Sequence, residues 1–175
     1  MKFICEISCR VFAVLFISAV LLIQVSTASH AQSNGIWKYA CQKRQGSNFC
    51  QIQQQLFVQK EVDGKQKTVG RLVSAIVQKR IVDGAEKIKL SLWLPLGTNL
   101  QAGIKVLVDS GKQYQLPFAQ CTTEGCLVSA FIPSDFLQSM KMGKKLRVGF
   151  LSYGGKKPLV AEVSLKGFTK QFSKL

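Results

Sequence analysis

The sequence predicts an all-β protein, an antiparallel β-sandwich with one or two short helices, and three observations carry that expectation. Past Ala31 short apolar stretches recur about every ten to fifteen residues between Gly, Asp, Lys and Pro, with no long run at helical period. In "KIKLSLWL", Lys87 to Leu94, the residues Ile88, Leu90 and Leu92 alternate with Lys87, Lys89 and Ser91, so one face is buried and one is wet. Third, "VDGK" (62–65), "VDGA" (82–85) and "DSGK" (109–112) place Asp or Gly where a hairpin demands tight or left-handed backbone, and each should join neighbouring antiparallel strands. About nine strands in one domain make a sandwich.

Taken in order, the chain opens on "MKFICEISCRVFAVLFISAVLLIQVSTASHAQ". Lys2 and Arg10 precede an apolar run from Val11 to about Val25, and Ser29 and Ala31 supply the small side chains a signal peptidase requires. The run is shorter than the roughly 20 residues of a spanning helix. Residues 1–31 therefore read as a signal peptide and 32–175 as a single domain with no transmembrane segment. Cleavage removes Cys5, Cys9 and the lone histidine, His30, and leaves 144 residues, enough for one core. It also leaves 22 Lys and Arg against 8 Asp and Glu, with lysine supplying 18 of the positive charges. Lysine is a hydrated point charge, whereas arginine's planar fork reads phosphates and bases, so the balance favours diffuse polyanion affinity over specific nucleic-acid recognition.

The expected strands are Trp37 to Cys41, Cys50 to Val58, Thr68 to Val77, Lys87 to Leu94, Ile104 to Val108, Gln113 to Phe118, Cys126 to Ile132, Lys145 to Leu151 and Leu159 to Ser164. Trp37 and Trp93 fall in apolar strand segments and read as core. A helix is expected in "PSDFLQSMKMG", with Ser134 capping its N-terminus, Asp135 in the first turn and Gly143 closing it. A second is expected after Gly167, where Phe168 and Phe172 stand four apart. "SYGGKKP" (152–158) reads as a hairpin loop with exposed charge, since no strand-to-helix context makes it a phosphate loop.

Four cysteines in an exported chain form a disulfide framework, and they allow three pairings. In the chain-entropy account, closing the Cys121 to Cys126 loop is worth about 2 kcal/mol and the Cys41 to Cys50 loop nearly 3 kcal/mol; a crossed pairing would constrain the unfolded chain more. Spacing does not choose among them. The expectation adopted is the local pairing, Cys41 with Cys50 and Cys121 with Cys126, because each couple flanks a turn. "CTTEGC" runs into the strand "CLVSAFI", unlike a redox pair at a helix start, and its spacing is unlike a zinc knuckle. No metal and no cofactor are expected.

Without histidine the usual base for a serine or cysteine nucleophile is missing. Eight carboxylates remain, most of them in turn sequences, and Glu124 and Asp135 stand for the hydrolase alternative. The chain is accordingly read as no enzyme.

Taken together, Trp37 followed by Cys41 and "CQIQQ" from Cys50, "LWLPLGTNLQAGIKVLVD" (92–109), "PFAQCTTEGC" from Pro117, "LQSMKMGKKLRVGF" from Leu137 and "VSLKGFT" (163–169) give the chain a further meaning. It resembles the invasion-associated locus B family of small exported bacterial proteins over essentially the whole mature domain. The resemblance implies an immunoglobulin-like sandwich, an early and a late cysteine pair in keeping with local pairing, and association with bacterial entry into host cells. It carries over no catalytic residue.

The expectation is thus an exported, disulfide-stapled, non-enzymatic protein, periplasmic or at the cell surface, that contributes to host-cell invasion by binding polyanions or an unidentified protein. Lys144, Lys145, Lys156 and Lys157 are the candidate binding residues, and the pairs Lys43–Arg44 and Lys79–Arg80 are of the same kind. The alternative is a periplasmic envelope accessory protein, held on the bacterium's own polyanions, with no direct host contact.

Overall fold

The computed structural model describes residues 36–44 and 46–175, and the expected signal peptide at 1–31 lies outside them. Among the described residues ten strands and two helices follow one another as β1 (Lys38–Arg44), β2 (Ser47–Val62), β3 (Lys65–Val82), β4 (Ala85–Leu94), β5 (Ile104–Val108), β6 (Tyr114–Leu116), β7 (Phe118–Thr122), β8 (Gly125–Ile132), α1 (Ser134–Met142), β9 (Lys145–Phe150), β10 (Leu159–Ser164) and α2 (Phe168–Phe172). They form a six-stranded sheet, β1-β2-β3-β4-β8-β7, and a four-stranded sheet, β10-β9-β5-β6. Every pairing is antiparallel. The fold class is the all-β sandwich with two short helices that the alternation pattern predicts.

The turns explain the meander from β1 to β4. Asp63 and Gly64 have φ of 53° and 70°, and Asp83 and Gly84 have 55° and 75°. Two consecutive left-handed residues match the twist of the flanking strands, which is why Asp-Gly closes both hairpins. Asp109 is left-handed too, at 50°, but its loop is longer, since β5 and β6 first pair at Val106 and Tyr114.

Between the sheets lies one core. Leu90 and Leu92 from β4 join Ile52, Leu56, Val73 and Val77 in a buried cluster with Val106, Leu146, Val148 and Val163 of the smaller sheet. Each such side chain contributes about 1.5–3 kcal/mol on burial. Trp37, 1% exposed, donates from Nε1 to the Ser164 carbonyl at 2.8 Å and meets Phe168 edge-on at 5.1 Å.

Four expectations need correction. Trp93 is not core: alternation puts it on the face opposite Leu92 and Leu94, beside Ser74 and Leu127 and half-buried. The single strand expected over Gln113 to Phe118 is two, because Pro117 has no N–H to continue a ladder and the chain changes sheets there, β6 in the smaller and β7 in the larger. β2 and β3 run well past their expected ends; beyond ladder irregularities near Leu56 and Val58 they form a two-stranded arm whose Lys65–Gly70 segment is exposed. Ser134 is no cap: Pro133 occupies that position, no side chain caps the helix, and Ser134 is its first residue.

The helices are fixed by spaced aromatics and sulfur, Phe136 and Met140 in α1, Phe168 and Phe172 in α2. Gly143 ends α1 with its N–H on the Ser139 carbonyl at 2.7 Å. Its backbone is extended, so glycine is needed there for room: a Cβ would stand 2.3 Å from Val108 Cγ1.

Candidate functional site

The four lysines singled out by sequence do not form one site. Lys144 and Lys145 stand at the start of β9, and Lys156 and Lys157 sit in the loop beyond its far end. Six residues of strand separate them by about 20 Å. Lys145 is also committed: its Nζ pairs with Glu162, whose other oxygen receives Arg147 Nε at 3.2 Å. The Lys145 hydrogen bond, followed by charge attraction from both cations, holds the Glu162 carboxyl below its ordinary pKa.

Two further carboxylates, Asp109 and Asp135, are likewise engaged in hydrogen bonds. Asp109 accepts from the backbone N–H groups of Lys144 at 3.0 Å and Lys145 at 2.9 Å, and the Lys144 bond foremost lowers its pKa. Asp135 accepts from the Tyr114 hydroxyl at 2.9 Å and from the Phe136 N–H at 2.8 Å, and its carboxyl is lowered by the Tyr114 bond first. Partial desolvation, then Asp135, raises the Tyr114 hydroxyl in turn. Glu124 and Asp135 flank opposite ends of β8, whose eight residues span about 26 Å. A glycosidase pair works at no more than about 9.5 Å, so these two cannot cooperate. Among the described residues no cluster of three or more His, Cys, Asp or Glu is placed to hold a metal ion.

A concave feature lies elsewhere, on the outer face of the larger sheet. Ile52 and Leu56 point into the core, so Gln51, Gln53 and Gln55 point outward, and the ladder sets Gln78 and Arg80 of β3 on the same face. A cavity of about 240 Å³ is lined there by Ala40, Gln42, Phe49, Gln51, Gln78 and Arg80. A relay of side-chain hydrogen bonds crosses its floor: Arg80 Nη2 donates to Gln78 Oε1 at 3.1 Å, Gln78 Nε2 to Gln51 Oε1 at 3.0 Å, and Gln51 Nε2 to Gln53 Oε1 at 3.2 Å. The Arg80 guanidinium lies over the Phe49 ring at 5.2 Å.

The disulfides are Cys41–Cys50 and Cys121–Cys126. Each joins directly opposed residues, β1 to β2 and β7 to β8. Cys41 falls between Ala40 and Gln42, and Cys50 between Phe49 and Gln51, so the first disulfide ties together the two strands that supply four of the cavity's six lining residues.

Sequence reading missed Gln42, Phe49, Gln51 and Gln78, and took Arg80 as half of a surface pair with Lys79. Adjacent strand residues face opposite ways: Lys79 turns to Glu86 at 3.5 Å and to the Phe172 ring at 5.7 Å, on the far side from Arg80. Glutamine at every second position of "QIQQQ" was the available signal.

Residues 37–175 match the family described as Invasion associated locus B (IalB) protein. The chain belongs to that family. The match begins at the buried Trp37 and takes in both sheets and both helices, so the whole sandwich is the invasion-associated locus B domain. One relative, Invasion protein B of Bartonella bacilliformis, is 23% identical over 151 residues, covering 85% of this chain and 75% of that protein. The crystal structure of invasion associated protein b from Bartonella henselae superposes with a TM-score of 0.64 at 21% identity, over 83% of this chain and 94% of the other, a likeness of fold. No helix among the described residues of this family member is long and apolar enough to cross a membrane.

Proposed function

We propose that this invasion-associated locus B family member is exported and non-enzymatic, and contributes to host-cell invasion by attaching to anionic surfaces. The unbalanced charge carries the reading. Among the described residues the basic side chains that reach a carboxylate are Lys79, Lys87, Lys145 and Arg147. The other lysines, spread over both sheets and both helices, are left for an external polyanion, and such attraction acts over roughly 8–10 Å at physiological salt. Two cross-strand disulfides suit an oxidising compartment.

The test is binding of the purified, oxidised protein to intact host cells across a salt series, with Lys144→Glu, Lys156→Glu and Lys157→Glu combined in one variant. Lys145 is left in place, because reversing it would break the Glu162 pair. Saturable binding that weakens steeply with salt and drops in the variant is expected. Binding indifferent to both would sink the reading.

A further inference from the structure

The outer face of the larger sheet has a chemistry of its own. Over the outward positions of the paired stretches Lys38–Gln42, Phe49–Gln55, Ser74–Arg80 and Lys87–Trp93 there are five glutamines, four cations and no carboxylate. The cations are Lys38, Arg80, Lys87 and Lys89. Lys87 has one distant partner, Asp83 in the hairpin turn, at 4.0 Å.

The cavity concentrates this pattern. Primary amides offer donors and acceptors side by side, which suits the vicinal hydroxyls of a sugar. Phe49, 37% exposed, gives an apolar wall for ring C–H groups. Arg80 brings a planar fork suited to a carboxylate, and its recorded acceptor is the Gln78 amide, so most of its five N–H donors are left for an anion. The volume, about 240 Å³, is below the roughly 300 Å³ at which sites for drug-sized ligands begin, so it fits one ring. Rigidity is built in too, through Cys41–Cys50 and the Gln51–Gln78–Arg80 relay, which lowers the ordering cost of binding.

We infer that this cavity is a subsite for one carboxylate-bearing sugar residue, of the sialic or uronic acid class, within an acidic glycan. Arg80 pairs with the carboxylate, Gln42, Gln51 and Gln78 hydrogen-bond hydroxyls, and Phe49 holds both the ring and the arginine in place. The inference rests on the attachment reading above and gives it a specific ligand.

The experiment measures binding of sialyllactose, a glucuronate-containing disaccharide and neutral lactose by ligand-observed NMR titration of the oxidised protein. The variants are Arg80→Gln, Gln78→Ala and, on the other sheet, Arg147→Gln. At least one acidic saccharide is expected to bind and lactose is not. Arg80→Gln should weaken binding at least tenfold and Gln78→Ala severalfold, each with an unchanged thermal midpoint, while Arg147→Gln should bind as the parent does. Absence of acidic saccharide binding, an Arg80→Gln protein that binds as well as the parent, or displacement of the saccharide at the cavity by a preferred acidic peptide or oligothymidine would overturn it. If the saccharides fail while salt-sensitive cell binding persists, the subsite falls and the attachment reading stands; if the saccharides bind and cells do not, the attachment reading falls instead.

Discussion

The two sheets are fastened by different means. The larger sheet has a disulfide at each edge, Cys41–Cys50 binding β1 to β2 and Cys121–Cys126 binding β7 to β8. The smaller has no disulfide; its strands are clasped by Glu162 between Lys145 and Arg147, and by Asp109 on the backbone at the start of β9. Exposure accounts for the difference. The outer face of the larger sheet is only half-buried and its β2–β3 arm is exposed, so burial holds that sheet less firmly, and an unpaired edge invites association. The smaller sheet has α1 packed beside β5, with Phe136 edge-on to Tyr114 of β6 at 5.0 Å, and polar clasps suffice there, while α2 meets β1 of the larger sheet. One sheet is thereby sensitive to reductant and the other to acid.

The largest effect should come from removing both disulfides by Cys→Ser substitution at all four positions. The two short loops are worth about 2 and nearly 3 kcal/mol, so denaturant unfolding should show a loss of about 5 kcal/mol, with hydrogen exchange fastest in β1 and β7. Equal losses of protection across both sheets would break the comparison. Next is Gly143→Ala, which drives a methyl into Val108 and the Ser139 carbonyl and should cost about 1–3 kcal/mol, felt first in α1 and β5. Retention of the parent's denaturation midpoint would show that this junction yields.

Acid should give a smaller, localised effect. Asp109, Asp135 and Glu162 have folded-state pKa values below their unfolded ones, so the stability they add is fully present above the ordinary carboxylate range near about 4 and is lost as pH falls through the lowered values. Titrating stability downward from neutral should therefore loosen β5 and β9 before β1–β4, and Asp109→Asn should flatten that slope; an identical slope in the variant would remove Asp109 from the account. Smallest is Glu162→Gln, under about 1 kcal/mol because the ion pairs are exposed, read as a shift that disappears in high salt.

Much of the fold was legible because local chemistry and global structure agree. Ile88, Leu90 and Leu92 declare a strand with one wet face, and Asp63-Gly64 and Asp83-Gly84 declare its turns. What escaped depends on distance across the fold. Nothing within Gln113 to Phe118 says that the residues on either side of Pro117 hydrogen-bond to different sheets. Lys144 and Lys156 look alike in sequence and stand at opposite ends of β9. The cavity was hidden for a related reason: its residues come from three strands and are joined by register, so Gln42, Gln51 and Gln78 look like ordinary polar positions until the ladder aligns them.

The two Asp-Gly turns also bear on time. They link β2, β3 and β4 with hairpins of two residues, so these pairings close short loops at little entropic cost, whereas β5 must wait for β9, nearly forty residues later. In a chain delivered N-terminus first, β2 to β4 would be paired before either partner in the smaller sheet's central contact had arrived. We expect pulse-labelled refolding to protect β2–β4 amides ahead of those in β5 and β9; simultaneous protection would refute that order. The face that carries the glutamine-lined cavity would then be laid down early, with the second sheet closing over its back.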